Sequence, residues 1–229
     1  MWRLFFQLLR RPGEFCTVTR PIGGSETKFQ IETLYFYFDQ EKGCPSGQYP
    51  WDLESIWSMD WILTHTGTKF HPLSPNPQNI HIEDIAHSLS LQCRFNGHSH
   101  QFYSVAEHSV RLSNIVEPDV ALWGLLHDAG EAYFSDLPRP IKNQFPRFRE
   151  LEDALVAIIM QKYGLPPEMP PVVKKADDIM LITELRDIMP KSPVPIEMDV
   201  QPLEEIIVPW SAEDAKRRFL ERFEMLINN

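Results

Sequence analysis

After Met59 the pattern is mostly helical: apolar residues recur every three or four positions, the spacing that gathers them on one face of a helix. HIEDIAHSLSLQ (His81–Gln92) places Ile82, Ile85, Ala86 and Leu89 on such a face. Ser104 to about Val116 predicts a second helix, with Ser104 as N-cap and Glu107 three residues on, the arrangement of a capping box. Glu117-Pro118-Asp119 interrupts the pattern, and Asp119 can cap a third helix, DVALWGLLHDAGEAYF (Asp119–Phe134). SDLPRPIK (Ser135–Lys142) holds two prolines and predicts a turn. Arg147 to Tyr163 predicts a fourth helix, stopped by Gly164-Leu165-Pro166-Pro167. Pro171 to about Met189 predicts a fifth, and Ser211 caps a last helix running to about Ile227. CRFNGHSHQF (Cys93–Phe102) reads as a loop. The expected fold class is all-α.

Residues 1–58 break this pattern. They contain none of the eight histidines but five of the ten glycines and two of the three cysteines. Beyond residue 11 they show little helical periodicity; Lys28–Phe38 has the aromatic and β-branched content of a strand, and Glu41–Pro50 is turn-rich. The opening MWRLFFQLLRRP has the makings of a short amphipathic targeting or surface helix. Residues 1–58 are therefore expected to be a poorly structured or partly extended N-terminal extension, dispensable or an upstream misassigned start. Residues 59–229, opening at Met59, are expected to be the functional domain.

The formal charge is −10, with six basic against seven acidic residues before position 59 and 16 against 25 after it. Such a chain is a poor general binder of duplex nucleic acid, whose phosphates require Lys and Arg. Three cysteines without a CxxC pair argue against a disulfide scaffold or a cysteine-rich zinc module, and fit a cytoplasmic location. No apolar run is long enough to predict a membrane span.

The informative chemistry begins at His127-Asp128, inside a segment otherwise rich in Ala and Leu. An imidazole and a carboxylate placed there need a partner. A divalent metal supplies one; so does a simple His–Asp hydrogen bond at a helix contact. His108 shares the apolar face of Val105 and Leu112, a position that fits a core histidine as well as a ligand. On the fifth helix Asp177 falls on the stripe of Val173, Met180 and Leu181, whereas Asp178 falls beside Lys174 as a solvated ion pair. Together His108, His127, Asp128 and Asp177 make a candidate octahedral site with positions left for water and substrate. Mixed nitrogen and oxygen ligands suit one divalent ion among Mn, Co, Fe, Zn and Ni. Glu131, one turn after His127, can face the same site as an acid or base, or lie exposed. Gly130 marks a close approach, by a ligand or by another helix. Cys93, His98 and His100 are too few for a zinc knuckle. Lys216-Arg217-Arg218, beside Glu213, Asp214 and Glu221, reads as a mixed solvated face, and Trp210 as a packing anchor.

VAEHS (Val105–Ser109), LLHDAGEAYFSDLPRPIK (Leu125–Lys142) and VKKAD (Val173–Asp177) resemble the HD-domain metal-dependent phosphohydrolases, in particular the bacterial 5′-deoxynucleotidase-like branch. CRFNGHSHQFYSVAEHS is similar to related bacterial and phage HD hydrolases. The resemblance runs from about Met59 to Pro190. It implies an HD-domain helical bundle in which His108, His127, Asp128 and Asp177 hold the metal. By the same resemblance Glu131 assists proton transfer, with Asp128 beside it at the reacting centre. Arg94 contacts phosphate, and Asp136 contacts the sugar. The resembled group carries a tryptophan after that arginine; Phe95 stands here, which alters the residue that discriminates ribose from deoxyribose. Lys142 matches the same stretch without an assigned role.

The expected activity is hydrolysis of a phosphate ester of a small metabolite, a (deoxy)nucleoside 5′-monophosphate first. The alternatives are cleavage of a nucleotide phosphodiester, pyrophosphate or triphosphate, and a non-catalytic nucleotide sensor. Expected partners are a small phosphorylated metabolite and, since related proteins are often dimers, a second copy of the chain.

Overall fold

The computed structural model describes the backbone of residues 16–22 and 28–34, and residues 60–228 with their side chains. It divides the chain into two units, Met1–Trp57 and Ser58–Asn229. In the first, strands β1 (Cys16–Ile22) and β2 (Lys28–Leu34) pair antiparallel, with Cys16 opposite Leu34 and Ile22 opposite Lys28. β2 is the first part of the strand expected over 28–38; residues 35–38 lie outside the described residues. So do the N-terminal amphipathic segment, the turn-rich Glu41–Pro50 and the domain start at Met59.

The second unit is all-α apart from a two-residue hairpin, β3 (Ile62–Leu63) with β4 (Lys69–Phe70). The hairpin delivers Phe70, fully buried, onto the ring of Tyr133 at 4.1 Å between centroids. Helices follow in chain order: α1 (Ile82–Leu91), α2 (Val105–Ile115), α3 (Ala121–Leu126) and α4 (Glu131–Phe134). Then come α5 (Arg139–Lys142), α6 (Pro146–Lys162), α7 (Pro171–Asp187) and α8 (Ala212–Ile227). α2 lies centrally, touching α1, α3, α7 and α8. The apolar spacing explains the core: Ile85 and Leu89 of α1, Leu155 and Ile159 of α6, and Phe219 of α8 are all fully buried. Among the described residues no helix is long and apolar enough to cross a membrane.

Ser104 caps α2 as expected, accepting the Glu107 N–H at 3.1 Å, a contact worth about 1 kcal/mol. The reciprocal half of the box does not form. The Glu107 carboxylate instead accepts from Arg111 Nε at 2.9 Å and from the Trp210 backbone at 2.8 Å, tying α2 to the chain before α8.

Two expectations are corrected. The third helix does not run unbroken from Asp119 to Phe134, nor does Asp119 cap it; Val120 holds that position without a side-chain cap. α3 ends at Leu126, and the chain continues through bonds spanning three residues, Ala129 N–H to Leu126 at 2.9 Å and Glu131 N–H to Asp128 at 3.0 Å. Such tightening inside an α-helix marks a hinge or a sequence under strain. Here the His127 ring takes the carbonyl of Gly124 at 2.8 Å. The second correction concerns SDLPRPIK. Only Ser135–Pro138 is irregular, while Arg139–Lys142 makes one helical turn with Pro140 near its start, where a missing N–H costs nothing.

Candidate metal centre

α2 brings His108 inward with Val105 and Leu112, and all three are fully buried. His127 follows the last residue of α3, and Asp177 sits in the second turn of α7. One ligand atom from each of these three residues lies within 4.8 Å of the other two, so they form a group that could hold a metal ion.

The imidazole protons can be assigned from their partners. Gly124 O only accepts, so His127 Nδ1 donates to it at 2.8 Å. His108 Nδ1 lies 2.6 Å from Glu184 Oε1. Burial alone would raise the Glu184 carboxyl, but Arg94 and His108 overcome it and hold the group ionised, below its ordinary value. His108 Nδ1 therefore donates as well. Both Nε2 atoms then face each other at 3.3 Å, a contact that either a shared metal ion or a proton on one ring satisfies. Anchoring the outer ring nitrogen to a carboxylate and to a backbone carbonyl is also how metal-bound histidines are commonly held.

The carboxylates around the rings complete the picture. Asp177 Oδ1 stands 3.4 Å from His108 Nε2, while its Oδ2 is held by Lys174 at 2.9 Å. One oxygen thus faces the histidines and the other is tethered. Lys174 also reaches Asp178 at 2.6 Å, the ion pair expected there. Asp128 Oδ2 lies 3.0 Å from His127 Nε2 and 3.9 Å from His108 Nε2, and 3.6 Å from Arg94. Asp128 thus borders the group formed by the other three.

Without a metal, protons serve as the cations. Burial and Arg94 push the His108 ring down, but Glu184 and Asp177 reverse this and bring it up to about 9. Burial would raise Asp128, yet His127, His108 and Arg94 bring it down to about 2. Asp177 is likewise held far below the carboxylate range, chiefly by His108.

Arg94 bridges the two sides of the site. Its guanidinium donates to Glu184 Oε2 at 3.1 Å, and its buried Nε has no partner. It stands at the foot of a tight turn in which Phe95, Asn96 and Gly97 all have positive φ, at 55°, 52° and 74°. Phe95 packs half-buried against the core, its ring 5.4 Å from the guanidinium. The loop's ends are closed by the Arg94 N–H donating to Tyr103 at 2.9 Å.

Glu131 is buried 3.6 Å from Lys142 Nζ, which binds Glu152 at 2.9 Å; the second Glu131 oxygen has no partner. Burial first, then repulsion from Asp128 and Asp136, drives its carboxyl well above the usual range despite Lys142 and Arg94. The close approach at Gly130 is by a helix. A Cβ there would come within 2.8 Å of Val156 on α6, so the glycine lets α6 bring Glu152 alongside. Asp136 is half-buried behind Ser135, and burial raises its carboxyl against the pull of Arg94.

Sequence reasoning missed Glu184 and Gln92. Glu184 is seven residues after Asp177, on the same face, so the stripe arithmetic carried two turns further finds it. Gln92 donates to the carbonyl of Glu131 at 3.0 Å and accepts the Asp136 N–H at 3.2 Å, a pairing across 44 residues that no local pattern signals. Among the described residues, Cys93, His98 and His100 form no metal-ligating group; Cys93 lies near the Ser99 hydroxyl instead.

The fold and site together define an all-α protein with a buried His/Asp group able to hold a metal ion. The chain belongs to the same family as the uncharacterized protein YfdR of Escherichia coli (strain K12), to which it is 48% identical over 130 residues, covering 57% of this chain and 73% of YfdR. An uncharacterized protein of Rhodobacter capsulatus is 36% identical over 126 residues, covering 51% of this chain and 64% of that protein. No family model matches the chain.

Proposed function

We propose that this protein is a metal-dependent phosphohydrolase that hydrolyses a phosphate ester of a small metabolite, a (deoxy)nucleoside 5′-monophosphate in the first instance. The observation that carries the reading is the pair of imidazole Nε2 atoms facing each other at 3.3 Å with both Nδ1 atoms already committed. His108, His127 and Asp177, joined by Asp128, would hold one divalent ion. Bound there, such an ion would make water more acidic and neutralise phosphoryl oxygens.

The chain's own groups cover the rest of the reaction. Arg94, fixed on one side by Glu184, presents a planar guanidinium suited to two phosphoryl oxygens. Burial and the neighbouring carboxylates favour the protonated form of Glu131, and its second oxygen has no partner, so it can deliver a proton to the leaving alkoxide as the P–O bond breaks. Phe95 follows Arg94 in the chain and Asp136 feels its charge, and both are assigned to the sugar side of the substrate.

The test is a screen of purified protein against phosphate esters with Mn, Co, Mg and Zn, read by phosphate release and chromatography. Release of inorganic phosphate from monophosphates, abolished in Asp128→Ala with helical content retained, is the expected result. Unchanged turnover in Asp128→Ala, or metal binding without turnover of any ester, overturns the reading. Tripolyphosphate as product redirects it to triphosphate cleavage.

A further inference from the structure

A groove of about 390 Å³ lies between α2, α7 and α8, and none of the metal-centre residues lines it. Its walls include Leu203, Ile207 and Met225, and its floor reaches Met180. Apolar walls alone would say nothing about an occupant; the charges at the rim do.

Arg111, Arg218 and Arg222 all line the groove, in a chain whose formal charge is −10. Neither of the two acids that line it pairs with Arg218 or Arg222. Glu221 holds Arg217 through both oxygens, at 2.8 and 3.0 Å, and Glu205 lies 3.8 Å from Arg111. Arg222 donates to the Ser113 hydroxyl at 3.1 Å and carbonyl at 2.8 Å, neutral acceptors both. Arg218 stacks over Trp210, 4.3 Å from the ring centroid, and Arg111 lies 4.6 Å from the same centroid. Among the described residues neither Arg218 nor Arg222 forms an ion pair; Asp214, which interacts with Arg218 from a distance, is bonded to Arg217 at 3.0 Å. Burial also pulls the Arg222 guanidinium below its usual value, the sign of a cation without a counter-ion. Arg218 and Arg222 are one turn apart on α8, so both side chains lean over the same stretch of groove.

We infer that this groove is a second binding site, for a small amphipathic anion: an oxyanion head, phosphate or carboxylate, taken by Arg218 and Arg222, on an apolar body laid along Leu203, Ile115 and Met225, the wall residues that are not buried. The head replaces the missing counter-ion with charge-assisted hydrogen bonds, and the body covers an apolar surface now open to water. The groove shares two helices with the metal centre. Met180 lies on the buried stripe of α7 between Asp177 and Glu184, and Arg111 follows His108 by one turn of α2.

The test uses the full-length chain labelled with ¹⁵N at its indoles. Phenylphosphonate and octanoate serve as probes; inorganic phosphate, phenol and 1-octanol serve as head-only and body-only controls. The Trp123 indole, which donates to the Pro166 carbonyl at 2.9 Å and does not line the groove, is the internal reference. The Trp210 signal should shift saturably with the two amphipathic anions while Trp123 stays put, with affinity at least about tenfold above any control. Arg218→Gln should lose that advantage and Arg218→Lys should keep part of it; among the described residues the Arg218 side chain makes no hydrogen bond, so neither change threatens folding. Equal binding of the neutral bodies overturns the proposal in favour of a plain apolar groove. Equal binding of inorganic phosphate reduces it to a charged patch and overturns it too. A Trp210 shift that follows protein concentration without any probe overturns it in favour of a second copy of the chain.

Discussion

His108, His127 and Asp177 stand on helices or at a helix end, and their outer atoms are tied to Glu184, Gly124 and Lys174. Arg94, Phe95 and Asp136, facing them, stand on chain whose backbone leaves the ordinary regions: φ is 55° at Phe95 and 74° at Ser135, with ψ 151° at the latter. The first group needs no strain because helical spacing already stacks its members. The second holds side chains where no regular element would put them, at about 1–3 kcal/mol per strained residue. Under the proposed function, the difference separates the residues that would bind a metal from those that would shape a substrate: one set is a property of the bundle, the other of two loops that the bundle holds bent.

The largest expected effect comes from removing a ligand on the helical side. Asp177→Ala deletes the carboxylate whose Oδ1 faces His108 at 3.4 Å, and metal content by mass spectrometry of the purified protein should fall to background. Phosphate release should fall with it. An Asp177→Ala protein that retains stoichiometric metal would show that the bundle side does not hold it.

Glu131→Gln should lower turnover by about 10²–10⁴-fold with metal content unchanged. Its carboxyl is raised by burial and by Asp128 and Asp136, and it acts protonated, so wild-type turnover should decline as pH rises through that raised value. The stability sign follows from the same shift. The folded state holds this proton more tightly than the unfolded chain, so wild-type stability decreases as pH rises above the ordinary glutamate range. Glu131→Gln, which does not titrate, should therefore gain on wild type in urea midpoint between acid and neutral pH. A constant difference would remove Glu131 from the buried, repelled setting assigned to it.

Glu184→Gln is smaller and discriminates more finely. It keeps the side chain's shape but weakens the anchor of His108 Nδ1 and of Arg94 together. Metal affinity by chelator competition should drop about 10- to 100-fold, the usual cost of losing an outer partner. No loss would mean that His108 is oriented by packing alone.

What the sequence made legible follows the same division. Apolar spacing located α1, α2, α6, α7 and α8, and put His108 and Asp177 on buried faces, because a helix converts spacing directly into position. It failed where a side chain competed with the backbone, at the His127–Gly124 bond that tightens the third helix. It failed again where partners are remote in sequence, as with Gln92 and Asp136. The positive φ at Phe95 was invisible for a different reason: an aromatic residue gives no local hint of a left-handed conformation, which is imposed by the closure of the loop between Arg94 and Tyr103.

The smallest effect tests the strained side directly. Ser135 has φ 74° and ψ 151°, a region in which glycine alone is at ease. Ser135→Gly relieves that strain but gives the unfolded chain more freedom, so the net gain should be about 1 kcal/mol in urea unfolding. If the strain serves only as a tax on a tight connection, turnover and KM should stay where they were. If it aims Asp136, whose backbone N–H is pinned to Gln92 at 3.2 Å, the freed hinge should raise KM while leaving kcat and metal content nearly unchanged. A protein that is both more stable and poorer at binding substrate would show that the bent loops, and not the helices beside them, set what the site accepts. A protein that gains no stability would show that the surrounding contacts already make the serine conformation comfortable, and the contrast between the two sides would then rest on the turn at Phe95 and Asn96.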